Sequence, residues 1–323
     1  MTAPTAAEPA AKRRTMVLVA MLALISLPVL LVARDAVSFS VSTRSNGSFV
    51  SSGRKREYVL YVPASYDRNK PTPLVISMHG AGGWAVQQRD LSGWNRVADA
   101  QGFIVVYPDG VEGVGPRIWQ VGRGPGLERD VRFISALIDT IEAAYNIDPT
   151  RIYANGLSNG GGMSFALSCT LSDRIAAVGL VAAAQTLPFS WCTDRKPVPM
   201  IAFHGTDDPG VPYNGGKTWI APDAFPNVPL WAKRWARRNQ CAEGTIDSTV
   251  AAGVTRAEYR RCADDAAVVL YTIKGGGHTW PGGEPMPEWA VGRTSTAVDA
   301  TSEMWKFFLA HPLRSVPAAV PRK

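Results

Sequence analysis

A glycine-rich turn around Ser158 constrains the fold of this 323-residue chain more than any other feature of the sequence. The turn, GLSNG at 156–160, follows an apolar run, RIYAN, and precedes a helix-compatible run, GMSFALSCTL. A turn this sharp between a strand and a helix holds its central residue in a strained conformation, and residues without Cβ are needed where the two elements approach. The pattern G-x-S-x-G in this context predicts a nucleophilic serine, with an ordinary glycine-rich strand-to-helix turn as the alternative.

From about residue 54, apolar runs of β type alternate with segments of helical period, which is typical of a mostly parallel sheet covered by helices. The predicted strands are YVLYVP (58–63), PLVISMHG (73–80), FIVVYPDG (103–110), RIYANG (151–156), IAAVGLVAA (175–183), VPMIAFHG (198–205) and AVVLYTIKG (267–275). Helices are predicted around 89–101, over 126–147, where apolar residues recur at steps of three and four, and near 296–310. The sequence therefore predicts an α/β fold with an eight-stranded, mostly parallel sheet.

The N-terminus carries a separate targeting segment. Lys12, Arg13 and Arg14 precede an uncharged stretch at 16–33, which has the length of a short membrane span. Basic residues on its N-terminal side predict an exported body, and both a cleaved signal peptide and a retained anchor fit the segment. The predicted organisation is a targeting segment at 1–33, a linker at 34–53, a single domain at 54–313 and a tail at 314–323.

Composition excludes several classes of function. The formal net charge is +7, but seven of the 34 basic residues lie at or near the termini, so the central domain is close to neutral. The sequence has no basic stripe interleaved with aromatic residues, and nucleic-acid binding is therefore not expected. Four cysteines fall in the exported part, and pairing of sequence neighbours predicts disulfides Cys169–Cys192 and Cys241–Cys262, with a reduced pair as the alternative. With four histidines and no metal-binding spacing, neither a metal nor another cofactor is expected. We expect a monomer that contacts a membrane only through an uncleaved N-terminal segment.

Two further strand ends supply partners for Ser158. HGTDDPGVPY at 204–213 offers Asp207 and Asp208 as candidate acids, and KGGGHTWPGG places His278 after the last predicted strand. The chain order serine, aspartate, histidine is that of the α/β-hydrolases. In this interpretation His278 is the general base and acid and the aspartate orients its ring, whereas His79 and His204 have structural roles.

An oxyanion hole is predicted from two backbone N–H groups. The residue after the nucleophile, Asn159, supplies one, and the loop MHGAGGW at 78–84 supplies the other, from Ala81 or alternatively Gly82. All of these groups are placed at the carboxyl ends of strands, where ligands bind in open α/β sheets.

The chain resembles the exported esterases of the polyhydroxybutyrate depolymerase and feruloyl esterase type. The resemblance covers about residues 50–312 and rests on HGAGG, GLSNGGGM, FHGTDDPGVPY, WARRNQC and GGGHTWPGG. It implies a serine esterase with the triad Ser158, Asp208 and His278, because the acid of the family stands in the register of HGTxD. It also implies Trp280 as a residue that lines the substrate pocket, with a buried packing role as the alternative.

The chain departs from the family pattern in one region. Residues 117–131 lack the cysteine and the paired aspartates of the family and retain Asp130 alone, so a different substrate groove is expected. Without a polymer-binding module after the domain, soluble oligomers or small aromatic and acetyl esters are the expected substrates. A catalytically idle protein that binds a polysaccharide and a serine peptidase are the competing functions; the intact triad argues against the first and the lack of room for a cap domain against the second.

Overall fold

The computed structural model describes residues 45–113, 115–122, 124–183, 185, 187–192, 196–218 and 220–314. The predicted targeting segment at 1–33 lies outside these ranges, as do most of the linker at 34–53 and nearly all of the tail at 314–323. Within the described ranges, no helix is long and apolar enough to cross a membrane.

Ten strands form the main sheet, and four more form two separate hairpins. In chain order the strands are β1 (Gly47–Ser51), β2 (Arg54–Tyr61), β3 (Thr72–Met78), β4 (Ile104–Pro108), β5 (Val111–Gly113), β6 (Gly115–Ile118), β7 (Ile147–Leu157), β8 (Ala177–Val181), β9 (Met200–Gly205), β10 (Gly216–Thr218), β11 (Ala221–Phe225), β12 (Ile246–Ala251), β13 (Val254–Tyr259) and β14 (Val268–Ile273). The main sheet has the order β1-β2-β4-β3-β7-β8-β9-β14-β13-β12. Its six central strands, from β4 to β14, are mutually parallel, and both edges are antiparallel.

The predicted α/β class is confirmed, but the predicted strand number of eight is too low. Strand β1 lies in the segment that the sequence assigns to the linker and pairs with β2 along its whole length, so the described part of that segment belongs to the domain. Strands β12 and β13 extend the opposite edge. These edge strands were missed because they carry few apolar residues, and most residues of β12 are exposed.

Seven helices cover the sheet in the described part of the chain. They are α1 (Ala85–Ser92), α2 (Trp94–Gln101), α3 (Pro125–Ala144), α4 (Asn159–Ser168), α5 (Val228–Arg238), α6 (Glu288–Val291) and α7 (Ala300–Ala310). The single helix predicted around 89–101 is two helices, because Gly93 adopts a φ of +65° and ends α1.

The two faces of the sheet are buried against different helices. Every residue of β3 is buried, and its side chains alternate: Leu74 and Ile76 lie in one hydrophobic cluster, Val75 in the other. The first cluster includes residues of α3, α4 and α5, and the second includes residues of α1, α2 and α7. A sheet buried on both faces needs continuous apolar strands, which is why the central strands were the ones visible in the sequence.

Two disulfides join sequence neighbours, Cys169 to Cys192 and Cys241 to Cys262. This is the pairing expected from the sequence. Cys169 directly follows α4, so its disulfide ties the carboxyl end of the helix behind Ser158 to the turn at 189–191.

Candidate active site

Ser158 occupies the sharp turn between β7 and α4. Its φ of +52° is in the left-handed region, which a residue with a side chain adopts at a cost of about 1–3 kcal/mol. The Ser158 N–H donates to the Val181 carbonyl over 2.8 Å, and its carbonyl accepts from the Gly162 N–H over 3.0 Å, so both backbone groups hold the conformation.

The glycines of this turn are required by close contacts. A Cβ on Gly156 would lie 2.4 Å from the Gly160 carbonyl carbon, and a Cβ on Gly160 would lie 2.2 Å from the Met78 carbonyl oxygen. Strand β3, strand β7 and helix α4 therefore approach each other more closely than any side chain allows. The structure has the strand–turn–helix arrangement that the sequence predicts around Ser158.

Asp208 and His278 lie together beyond the ends of β9 and β14. The Nδ1 atom of His278 is 2.9 Å from Oδ2 and 3.0 Å from Oδ1 of Asp208. Backbone hydrogen bonds join the turn that carries Asp208 to the loop that carries His278. The Asp207 N–H donates to the Gly276 carbonyl, and the Thr206 N–H donates to the Ile273 carbonyl. Since β7, β8, β9 and β14 are parallel neighbours, the turn at Ser158 and this pair lie at the same edge of the sheet.

The carboxylate of Asp208 is surrounded by donors. Its Oδ1 accepts the N–H groups of Gly210 and Val211 over 2.8 and 2.7 Å, and its side chain has no exposed surface. Burial alone would raise the pKa of Asp208, but the contacts with the His204 and His278 rings hold that pKa well below its ordinary value. The carboxylate is therefore charged at neutral pH and able to stabilise a protonated His278.

His204 is a partner of Asp208 that sequence reasoning missed. Its Nε2 atom lies 2.8 Å from the Val211 carbonyl oxygen and 3.3 Å from Oδ2 of Asp208. Because a carbonyl only accepts, this nitrogen carries the proton and directs it towards the acid turn. The contact between His204 and Asp208 depends on the irregular turn between them, and the spacing of the two residues in the sequence does not predict it.

The other candidate acid is separated from this pair. Asp207 is exposed, and its Oδ1 accepts from the Thr206 hydroxyl. It lies in the same turn as Asp208, whose carboxylate faces the protein interior instead.

The loop after β3 offers one backbone donor. Ala81 is exposed, and no acceptor for its N–H is found in the part of the chain that the structure describes. The Gly82 N–H, the alternative donor, is already bound to the Arg117 carbonyl over 2.8 Å. Of the two donors left open by the sequence, Ala81 is therefore the one whose N–H is free to bind an anion.

Trp280 packs in the core instead of lining an open pocket. Its side chain is completely buried, and its indole N–H donates to the Thr301 hydroxyl over 2.9 Å. This corresponds to the packing role that the sequence left as the alternative.

Asp130, in the region that departs from the family pattern, forms a buried ion pair. Its Oδ1 accepts from Arg56 over 2.8 Å and its Oδ2 from the Gln120 N–H over 2.8 Å. The Arg56 guanidinium also lies 3.8 Å from the centre of the Phe133 ring. The pair fixes the first turns of α3 against β2, a contact between distant residues that no local pattern in the sequence indicates. Among the described residues, no cluster of three or more His, Cys, Asp and Glu side chains could hold a metal ion.

His79 is buried at the start of the loop that follows β3. Its Nδ1 contacts the Gly80 carbonyl over 2.7 Å, and its Nε2 accepts the Gly110 N–H over 2.9 Å, so the ring is neutral. Burial is the main cause that lowers the pKa of His79 from 6.5 to about 4.

We predict that this histidine makes the protein less stable as the pH falls from 6.5 towards 4. In that window the unfolded chain binds a proton at residue 79 that the folded chain does not, so the free energy of unfolding decreases by at most about 1.4 kcal/mol per pH unit. Above pH 6.5 both states are neutral and the contribution is constant. Urea unfolding of the parent and of His79→Gln at pH 7 and pH 5 measures it.

The His79→Gln variant should lose less stability between those two pH values than the parent. Burial also lowers the pKa of His311, so His311→Gln is the control for a second histidine titrating in the same range. Equal losses in the parent and in His79→Gln would contradict the prediction.

The fold belongs to a known structural class. The acetyl xylan esterase from Aspergillus awamori superimposes with a TM-score of 0.55 over 78% of this chain and 93% of its own, at 16% sequence identity. The likeness is one of fold, the α/β-hydrolase fold.

Sequence comparisons define the family. Residues 56–186 match the family model described as esterase PHB depolymerase. Feruloyl esterase C from Emericella nidulans is 31% identical over 276 residues, which cover 83% of this chain and 88% of that enzyme. Feruloyl esterase B from Piromyces equi is 34% identical over 229 residues, and the match spans 69% of this chain but only 42% of the length of that protein. The chain belongs to the esterase PHB depolymerase family and is a carboxylic ester hydrolase.

Proposed function

We propose that the protein is an exported serine esterase that cleaves feruloyl-type or acetyl-type esters, or 3-hydroxyalkanoate oligomers, through an acyl-enzyme on Ser158. The observation that carries the proposal is the contact between the buried Asp208 carboxylate and Nδ1 of His278, 2.9 Å apart, at the sheet edge where the strained Ser158 turn also lies. This is the combination of acid, base and nucleophile that acyl transfer requires.

The reaction follows from these positions. With Nδ1 held by Asp208, His278 has Nε2 to accept the proton of the Ser158 hydroxyl as its oxygen bonds to the ester carbonyl carbon. The carbonyl oxygen becomes an oxyanion, which the N–H groups of Ala81 and Asn159 stabilise. Collapse of this intermediate breaks the bond to the alcohol, which leaves with the proton from His278.

Water completes the cycle. His278 takes a proton from a water molecule, the hydroxide oxygen bonds to the acyl carbon, and the bond to Ser158 breaks as its oxygen regains the proton. The products are a carboxylic acid and the regenerated serine, and every proton that moves is carried by His278. Asp208 stays ionised throughout, as its lowered pKa requires.

Export is supported by the chemistry of the cysteines. Two disulfides join Cys169 to Cys192 and Cys241 to Cys262, and disulfides form and persist in oxidising compartments. The predicted targeting segment at 1–33, cleaved or retained, accounts for how the domain reaches such a compartment.

A panel of soluble esters tests the proposal. We expect the protein to hydrolyse p-nitrophenyl acetate and at least one of methyl ferulate, an acetylated xylo-oligosaccharide and a 3-hydroxybutyrate oligomer, with release of acid measured for each. The relative kcat/KM values then assign the acyl group. Absence of hydrolysis across the whole panel, by protein whose fold is verified by circular dichroism, would contradict the proposal.

A further inference from the structure

One short segment, Arg117–Trp119, contacts both halves of the proposed oxyanion hole. The Arg117 carbonyl accepts the Gly82 N–H over 2.8 Å, next to Ala81. On the other side, the Trp119 N–H donates to Oδ1 of Asn159 over 2.6 Å, and Nδ2 of Asn159 donates to the Trp119 carbonyl over 3.0 Å. The Asn159 side-chain amide thus binds both the N–H and the carbonyl of Trp119, as the backbone of a neighbouring strand would.

The segment is itself held in place from the core. The Trp119 side chain is almost fully buried, and its indole N–H donates to the His79 carbonyl over 3.1 Å. The Trp119 ring also stacks on Phe133, with 11° between the ring planes. A segment fixed by these contacts can serve as a rigid spacer between the loop after β3 and the start of α4.

We propose that the Asn159 side chain is a positioning group for the oxyanion hole, in addition to the N–H that the same residue supplies. The two proposed donors belong to different parts of the chain, and a hole works only if both lie about 2.7–3.1 Å from the developing oxyanion. Binding of Asn159 to Trp119, and of Arg117 to Gly82, sets the distance between them. The inference rests on the proposed function.

The pairing of the Asn159 side chain with the Trp119 backbone, called the clamp below, should stabilise the transition state more than it strengthens substrate binding. A ground-state ester carbonyl tolerates donors displaced by a few tenths of an ångström, whereas an oxyanion gains most of its stabilisation from exact placement. Loss of the clamp is therefore expected to lower kcat and to leave KM nearly unchanged.

The experiment compares Asn159→Ala with Asn46→Ala. Asn46 makes the same two-point pairing with the backbone of Leu60, over 2.7 and 2.8 Å, in the β1–β2 region outside the proposed catalytic machinery. Each variant is assayed for kcat and KM with p-nitrophenyl acetate, for the inhibition constant of an aliphatic trifluoromethyl ketone, and for its unfolding midpoint. The ketone forms a hemiketal whose oxygen occupies the oxyanion hole.

We expect Asn159→Ala to lower kcat by about 10- to 100-fold and to change KM by less than about twofold. The affinity for the ketone should fall by the same factor as kcat. These losses are smaller than the factor of about 10²–10³ in kcat that complete loss of one donor costs. Asn46→Ala should keep kcat and ketone affinity at a similar loss of stability. An equal loss of ketone affinity in both variants, or a raised KM with unchanged ketone affinity in Asn159→Ala, would overturn the proposal.

Two further measurements keep the test decisive. If Asn159→Ala does not fold, Trp119→Phe removes the indole N–H that holds the same segment to His79, and a parallel drop of kcat and ketone affinity of about three- to tenfold is expected; unchanged ketone affinity would refute the inference. Failure of the proposed function is recognised separately, because hydrolysis would then persist in Ser158→Ala.

Discussion

Replacing Ser158 with alanine should lower kcat for p-nitrophenyl acetate by about 10⁴- to 10⁶-fold and leave the fold intact. The hydroxyl is the only group at this turn that can form an acyl-enzyme, and triad enzymes without their nucleophile keep only the residual catalysis of the oxyanion hole and of binding. Alanine also removes no backbone bond, since the N–H to Val181 and the carbonyl that accepts from Gly162 belong to the main chain.

Ser164→Ala is the matched control for this variant. Ser164 lies on α4, the helix that follows Ser158, and its hydroxyl donates to the Gly160 carbonyl. Its replacement therefore tests whether removal of any serine hydroxyl near the turn reduces activity. Full activity in Ser158→Ala, or an equal loss in Ser164→Ala, would contradict the assignment of Ser158 as the nucleophile.

Replacing Asp208 with asparagine should lower kcat by about 10⁴-fold with little change in KM. Asparagine keeps an oxygen for the N–H groups of Gly210 and Val211, so the turn is preserved. Its amide donates where the carboxylate accepted, which favours the wrong tautomer of His278 and removes the charge that stabilises the protonated ring.

Asp207→Asn provides the comparison that the sequence itself suggests. Asp207 is the neighbouring acid, but it is exposed, and the one side-chain partner found for it among the described residues is the Thr206 hydroxyl. Its variant should therefore keep kcat within about twofold of the parent. The measurement is kcat and KM of both variants on one ester. A large loss in Asp207→Asn with activity retained in Asp208→Asn would reverse the two roles.

Much of the fold was predictable because the central strands are buried on both faces. Their continuous apolar runs, the glycine-rich turn at Ser158 and the order of the polar groups after successive strands fix the sheet edge at which the candidate site lies. The register HGTxD, which came from the resemblance to the family, selected Asp208. In the structure the Asp208 carboxylate is buried against His278, whereas that of Asp207 is in solvent, and this difference is the physical basis for keeping Asp208 as the proposed acid.

The features that were missed depend on contacts between distant residues. Strand β1 alternates half-buried and exposed residues and gains its stability by pairing with β2, so its sequence looks like a polar linker. The clamp of Asn159 on Trp119 joins residues 40 positions apart, and the pair of Arg56 and Asp130 joins residues 74 positions apart. Hydrophobic period and turn chemistry report local structure and carry no information on such pairs.

The most direct test of the account is to label the protein with a fluorophosphonate and to locate the adduct by peptide mass spectrometry. We predict a single adduct on Ser158, formed at a rate that falls to background in His278→Ala, because only a serine activated by a neighbouring base reacts with this reagent at neutral pH. An adduct on another residue, or ester hydrolysis by protein that the reagent does not label, would contradict the assignment of Ser158 as the nucleophile of an acyl-enzyme mechanism.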